Sequence, residues 1–170
     1  MKALRMGITA LSLTVLAARA GAAPPPAPGA PAQHEHALQA LADAKWGPAP
    51  PFLPPGAQIV VLAGNPMAAE PYSVRLLFPA GYDVPAHSHP TDENVTVVSG
   101  RLFMGMGDTL DRAAAQPLGV GGFARMPAGA NHYAFAKEKT TIVLHGMGPV
   151  EFKYVNPADD PRNAKTGSKK

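Results

Sequence analysis

Four side chains carry the chemistry visible in this sequence: His87, His89, Glu93 and His132. Residues 81–100 read GYDVPAHSHPTDENVTVVSG, with the two histidines standing two apart. On an extended backbone, residues i and i+2 share a face, so both imidazoles project into one space. Glu93 follows Pro90, Thr91 and Asp92, a turn-forming trio, and opens an alternating run through Val95, Val97 and Ser99 on a second strand. His132 stands five residues after Pro127 in RMPAGANHY, beyond a second Pro and Gly turn. Three imidazoles and one carboxylate form a borderline-hard donor set that suits one divalent transition metal ion. Mn, Fe, Co, Ni, Cu and Zn all qualify, and affinity order alone does not choose among them. With protein groups in four of six octahedral positions, two adjacent positions remain for water, dioxygen or a bidentate substrate. Glu93 has two open roles, metal ligand or base toward a bound substrate.

Positioning those groups calls for short strands. Candidates are 58–62, 72–78, 84–89, 93–99, 101–106, 123–126, 132–136, 140–145 and 151–155, punctuated by turn residues. Tyr72, Val74, Leu76 and Phe78 alternate with Ser73 and Arg75, and Phe152 and Tyr154 alternate with Glu151 and Lys153, the period of half-buried strands. Nine short strands without a strong interior helix argue an all-β antiparallel domain. Residues 108–122 form the one long connection. Strand parity adds second-tier candidates. If His132 faces inward, Ala134 and Ala136 do too, leaving room for a modest organic substrate. Tyr133 and Phe135 then face the other way, better placed to pack against the Pro-rich strap or a second subunit than for catalysis, and an exposed aromatic pair favours a homodimer. His145 shares a face with Val143 and is a candidate catalytic acid or base, with a structural histidine as the alternative. Phe103, Met104, Met106 and Met126 offer a soft apolar lining for the cavity, with simple gap filling the stronger reading.

Two stretches resemble the motifs of the cupin superfamily. Gly81, His87, His89, Glu93 and Gly100 match the first motif position for position, and Gly121, Pro127, Gly129 and His132 match the second. The second motif's final Asn position holds Ala136, a departure that touches no ligand. The resemblance covers roughly residues 58–155 and implies a cupin-type double-stranded β-helix, a jelly-roll barrel. It further implies a metal-binding protein, as a dioxygenase, lyase or isomerase acting on a small oxygen-rich organic substrate. The alternative is a non-catalytic module that binds a small molecule or a metal. Oxalate-degrading members of the superfamily usually carry two barrels, so a single barrel counts against that activity.

At 170 residues, 46% hydrophobic and 16% charged, the chain suffices for one domain with a core and is too short for two such barrels plus a leader. Residues 1–20 read as an export signal: Lys2 and Arg5, then an apolar run, then Ala18, Arg19 and Ala20 as a small-x-small cleavage site. A periplasmic or secreted product is expected, with no stable membrane anchor after cleavage. Lys2, Arg5 and Arg19 leave with the signal, which brings 15 basic residues to 12 against 12 acidic ones. A near-neutral product argues against a nucleic-acid partner. No cysteine is present, which excludes disulfides and zinc–thiolate sites. Residues 21–32 form an Ala/Pro-rich linker. Within 33–57 the spacing of Leu38, Leu41 and Ala42 predicts a short N-terminal helix over 33–45, where His34 and His36 read as exposed because i and i+2 do not share a helix face. An extended Pro-rich strap follows, with Phe52 and Leu53 available to pack on the barrel's outside. The barrel occupies 58–156 and a polar tail 157–170.

Overall fold

The computed structural model describes residues 40 and 43–163 of the chain. The expected export signal, the linker, most of the predicted helix and the end of the tail lie outside them. No N-terminal α-helix is seen at residues 40 and 43–45. A short segment whose apolar stripe is only Leu38, Leu41 and Ala42 is a marginal helix former. Among the described residues, no helix is long and apolar enough to cross a membrane.

Among the described residues eleven strands make the barrel: β1 (Gly47–Pro48), β2 (Gln58–Ala63), β3 (Pro71–Phe78), β4 (Tyr82–Ser88), β5 (Glu93–Ser99), β6 (Leu102–Met106), β7 (Gln116–Leu118), β8 (Phe123–Met126), β9 (His132–Ala136), β10 (Thr140–Met147) and β11 (Lys153–Tyr154). They form two antiparallel sheets, ordered β1-β2-β3-β10-β5-β8 and β11-β4-β9-β6-β7. Period-two alternation decides which side chains fill the space between them. Tyr72, Val74, Leu76 and Phe78 of β3, Val95 and Val97 of β5, and Ile142 and Leu144 of β10 are buried in one core. Gly100 closes the β5 to β6 turn at φ 74°, and a Cβ there would stand 2.5 Å from the Lys139 carbonyl oxygen. Only glycine fits that turn.

Two strands were not expected. β1 lies within the proline strap and β7 within the connection 108–122, and each contains a proline at a sheet edge, where a missing N–H is tolerated. Two expectations about outer surfaces are also corrected. Leu53 is not on the outside: it is 5% exposed and belongs to the core, while Phe52 stacks on Phe152 at 4.9 Å. The Tyr154 hydroxyl donates to the Phe52 carbonyl at 2.7 Å, and the Tyr82 hydroxyl donates to that of Pro54. Those two anchors turn the strap inward as a plug, because the sandwich end otherwise leaves apolar interior open to water.

Tyr133 and Phe135 do face away from His132, but they are 1% and 0% exposed. The connection before β7 folds back over them. The Tyr133 hydroxyl donates to the Asp111 carbonyl at 2.8 Å, Phe103 stacks on Phe135 at 4.8 Å, and the Arg112 guanidinium sits 4.6 Å above the Phe135 ring. The aromatic pair is therefore covered by its own chain, and the basis for a homodimer through it is gone.

Candidate metal centre

The site is built where β4, β5 and β9 meet. On β4, Tyr82 and Val84 point into the core, so plain alternation would turn Ala86 inward and His87 out. The ladder with β9 prevents this. Val84 pairs with Ala134 and His87 with His132, so three steps on β4 oppose two on β9. This bulge absorbs one extra residue and restores His87 to the inner face. His89 follows two residues on, and Glu93 opens β5 on the side of Val95 and Val97. The turn that delivers His132 is tied to the β4 to β5 connection: Gly129 N–H donates to the His89 carbonyl at 2.8 Å, and Ala128 N–H donates to Asp92 Oδ1 at 2.9 Å. Arg125 pairs with the same Asp92 carboxylate, holding it below the usual carboxylate range.

Each imidazole is held from behind. Nδ1 of His87 donates to the Pro85 carbonyl at 2.6 Å, that of His89 to Glu151 at 2.7 Å, and that of His132 to Ala130 at 3.0 Å. A carbonyl oxygen only accepts, so Nδ1 carries the hydrogen in every ring and Nε2 presents a lone pair. One donor atom from each of the three histidines lies within 4.8 Å of the others. Glu93 completes the set, with Oε1 3.6 Å from His89 Nε2 and Oε2 3.4 Å from His132 Nε2. Nε2 of His89 and of His132 are buried without a hydrogen-bond partner among the described residues. With hydrogen on Nδ1, the approaches to Glu93 set lone pair against carboxylate and are not hydrogen bonds. An arrangement of three buried lone pairs around a buried anion is unfavourable alone and suited to a cation. The donor types and their convergence fit one divalent metal ion.

The electrostatics agree. Burial, reinforced by the neighbouring imidazoles of His132 and His89, pushes His87 down to about 3. Burial likewise lowers His89. Burial pushes Glu93 up, whereas a proton on an imidazole facing it, at His132 first and then at His89 and His87, pulls it down, for a net downward shift. At neutral pH the site therefore holds neutral rings at His87 and His89 and an ionised carboxylate, the protonation states that ligate metal.

All four predicted ligands, His87, His89, Glu93 and His132, are brought together. His145 is not: it stands exposed on the outer face of β10, opposite buried Leu144, and only its backbone carbonyl is engaged, by Asn94. Its sharing a face with Val143 was the warning, since Val143 is outward too. The residue missed at sequence level is Phe152, which stacks on His87 at 4.3 Å and meets His89 edge-on at 4.5 Å. Its alternation with Lys153 marked it as buried, but nothing local told which wall it would join.

A family model described as a domain of unknown function, DUF4437, matches residues 39–166. The chain belongs to the DUF4437 family. Among curated proteins, none matches it significantly. Solved structures place this DUF4437 chain among the cupins by fold. A putative acetylacetone dioxygenase from Methylibium petroleiphilum PM1 shares 18% identity, covers 78% of this chain and 90% of its own, and superimposes with a TM-score of 0.58. The polyketide cyclase RemF from Streptomyces resistomycificus gives 14%, 75%, 90% and 0.58. An RmlC-like cupin from Shewanella frigidimarina NCIMB 400 gives 17%, 67%, 91% and 0.52. At these identities the likeness establishes the cupin barrel, and function rests on this chain's own residues.

Proposed function

We propose that this DUF4437 protein holds one divalent transition metal ion on His87, His89, His132 and Glu93 and uses it to transform a small oxygen-rich organic substrate, as a dioxygenase, lyase or isomerase. The observation that carries the reading is the set of three Nδ1 tethers, which leave three Nε2 lone pairs free to converge, those of His89 and His132 facing one buried carboxylate. When bound, such an ion supplies Lewis acidity toward paired substrate oxygens or a coordination position for dioxygen. The chain's part is to hold and orient. Backbone carbonyls fix the three ring planes, Phe152 covers one face of His87, and Glu93 contributes charge balance with one oxygen while its other oxygen accepts a substrate proton. Two of the fold's neighbours bear the name acetylacetone dioxygenase, one of them marked putative, which makes β-diketones a first set to try beside catechols, flavonols and keto acids.

The interior cavity next to the donors, about 30 Å³, supports a second reading in which the same site binds metal or a small ligand without turnover. Metal-reconstituted protein separates the two. Oxygen uptake or product formation with one of those substrate classes supports the enzyme, whereas tight binding with no product supports the module. Export to the periplasm or medium belongs to the same proposal and rests on residues 1–20 alone.

A further inference from the structure

A cavity of about 30 Å³ admits a water or two, so an organic substrate has to reach the donors from a larger space. Two such spaces flank them. One, of about 520 Å³, is a polar hollow that His89, Glu151 and Lys153 line, with Phe152 between it and His87. That ring is stacked between His87 at 4.3 Å and Phe52 at 4.9 Å. The other, of about 430 Å³, is a groove in the gap between the sheets, with β8 on one side and β6 and β7 on the other. Met104, Met106, Gln116, Leu118, Ala124 and Met126 line it.

Sheet register sets this groove against the donors. Met126 pairs with Glu93, Met106 pairs with His132, and Met104 lines the groove and the interior cavity alike. Met104 and Met126 are the buried methionines of the groove, and Met104 borders the interior cavity as well. Methionine is unbranched, with three rotatable bonds and a polarisable sulfur, so these side chains can move aside and then close on an apolar group. Two buried methionines of an apolar groove can therefore yield to an apolar group.

Building on the metal-dependent reading above, we propose that the methionine-lined groove binds the body of the substrate. That substrate is a small molecule with paired oxygens at one end, directed to the donors, and an aromatic or branched alkyl body lying between Met104, Leu118 and Met126. Glu151 and Lys153 then play no part in its recognition.

The test uses the full chain with 13C-labelled methionine methyl groups and 4-tert-butylcatechol as the probe, titrated into zinc-loaded and metal-free protein. The Met104, Met106 and Met126 methyl resonances are expected to move, and those of Met67 and Met147 to stay. Ala124→Phe fills the groove from β8 and leaves every donor in place; it is expected to weaken binding at least tenfold with zinc content unchanged. Ala114→Trp at the exposed rim gives the same loss by a route that does not touch the core. Lys153→Glu leaves the dissociation constant within twofold. Unmoved Met104 and Met126 resonances, parent-like affinity in both groove variants, or a tenfold loss in Lys153→Glu would each overturn the groove. Failure of the metal reading looks different: no zinc is taken up by the parent, or the probe binds metal-free protein as tightly as loaded protein, while the methionine shifts persist.

Discussion

At the scale of single residues, the centre depends on which nitrogen of each ring is free. Because a backbone carbonyl takes the Nδ1 hydrogen three times, losing one ring removes a lone pair that no neighbouring side chain replaces. Elemental analysis should find about one metal per chain in the parent and a large loss in His132→Ala. His145→Ala, altering an exposed ring, should match the parent. Equal metal in His132→Ala and parent would remove the centre. Acidity gives a second check. Unfolded, His87 titrates near 6.5; folded, near 3. Between those values the unfolded chain binds more protons, so native stability falls as pH drops from about 6.5 toward 3. The lowered Glu93 acts in the same direction below 4.5. Denaturant midpoints of metal-free protein should therefore be lower at pH 5 than at pH 7, and an unchanged or higher midpoint at pH 5 would mean the rings are not held neutral.

At the scale of elements, three connections do what the strands alone do not. The β4 bulge returns His87 to the interior, the strap plugs the end of the sandwich, and the connection before β7 covers the outer aromatics. The strap makes a sharp prediction. Leu53→Ala empties a fully packed position and should destabilise the fold by about 2–5 kcal/mol. A strap lying on the surface would give about 0.5 kcal/mol or less, so chemical denaturation decides between them. The outer layer makes another. A Cβ at Gly105 would stand 2.2 Å from the Tyr133 hydroxyl, whose ring is buried and tethered to Asp111. Gly105→Ala should lower the melting temperature clearly, and a parent-like melting curve would show that Tyr133 is free to give way.

At the scale of the whole molecule, a barrel stapled by no disulfide draws its stability from one apolar core and from whatever binds its native state. A metal that binds only the folded chain adds about 2.7 kcal/mol when present at a hundred times its dissociation constant. For a chain of this size that is a rise of several degrees, at about 2–4 °C per kcal/mol. Chelation should reverse it, as seen by calorimetry, and identical melting curves with and without chelator would argue that the cluster stays empty. Phe135 belongs to this scale too. Sealed beneath Arg112 and stacked on Phe103, it should lower the stability of the fold itself when truncated, as read by the denaturant midpoint.

Residue types and local spacing were enough to point to the barrel and to three histidines that converge beside Glu93, because a period of two, which puts a histidine pair on one face, is a property of any extended backbone. The motif glycines were equally legible, since Gly100 occupies a backbone shape that other residues resist. What lay beyond local pattern was decided by long-range packing. Whether Leu53 went in or out depended on two tyrosine hydroxyls far along the chain, and whether Tyr133 and Phe135 met water depended on a loop that returns to cover them. His87 faces the metal position only because a distant strand opposes three residues with two. Those outcomes are set by which segments meet, and a sequence read one stretch at a time does not contain them.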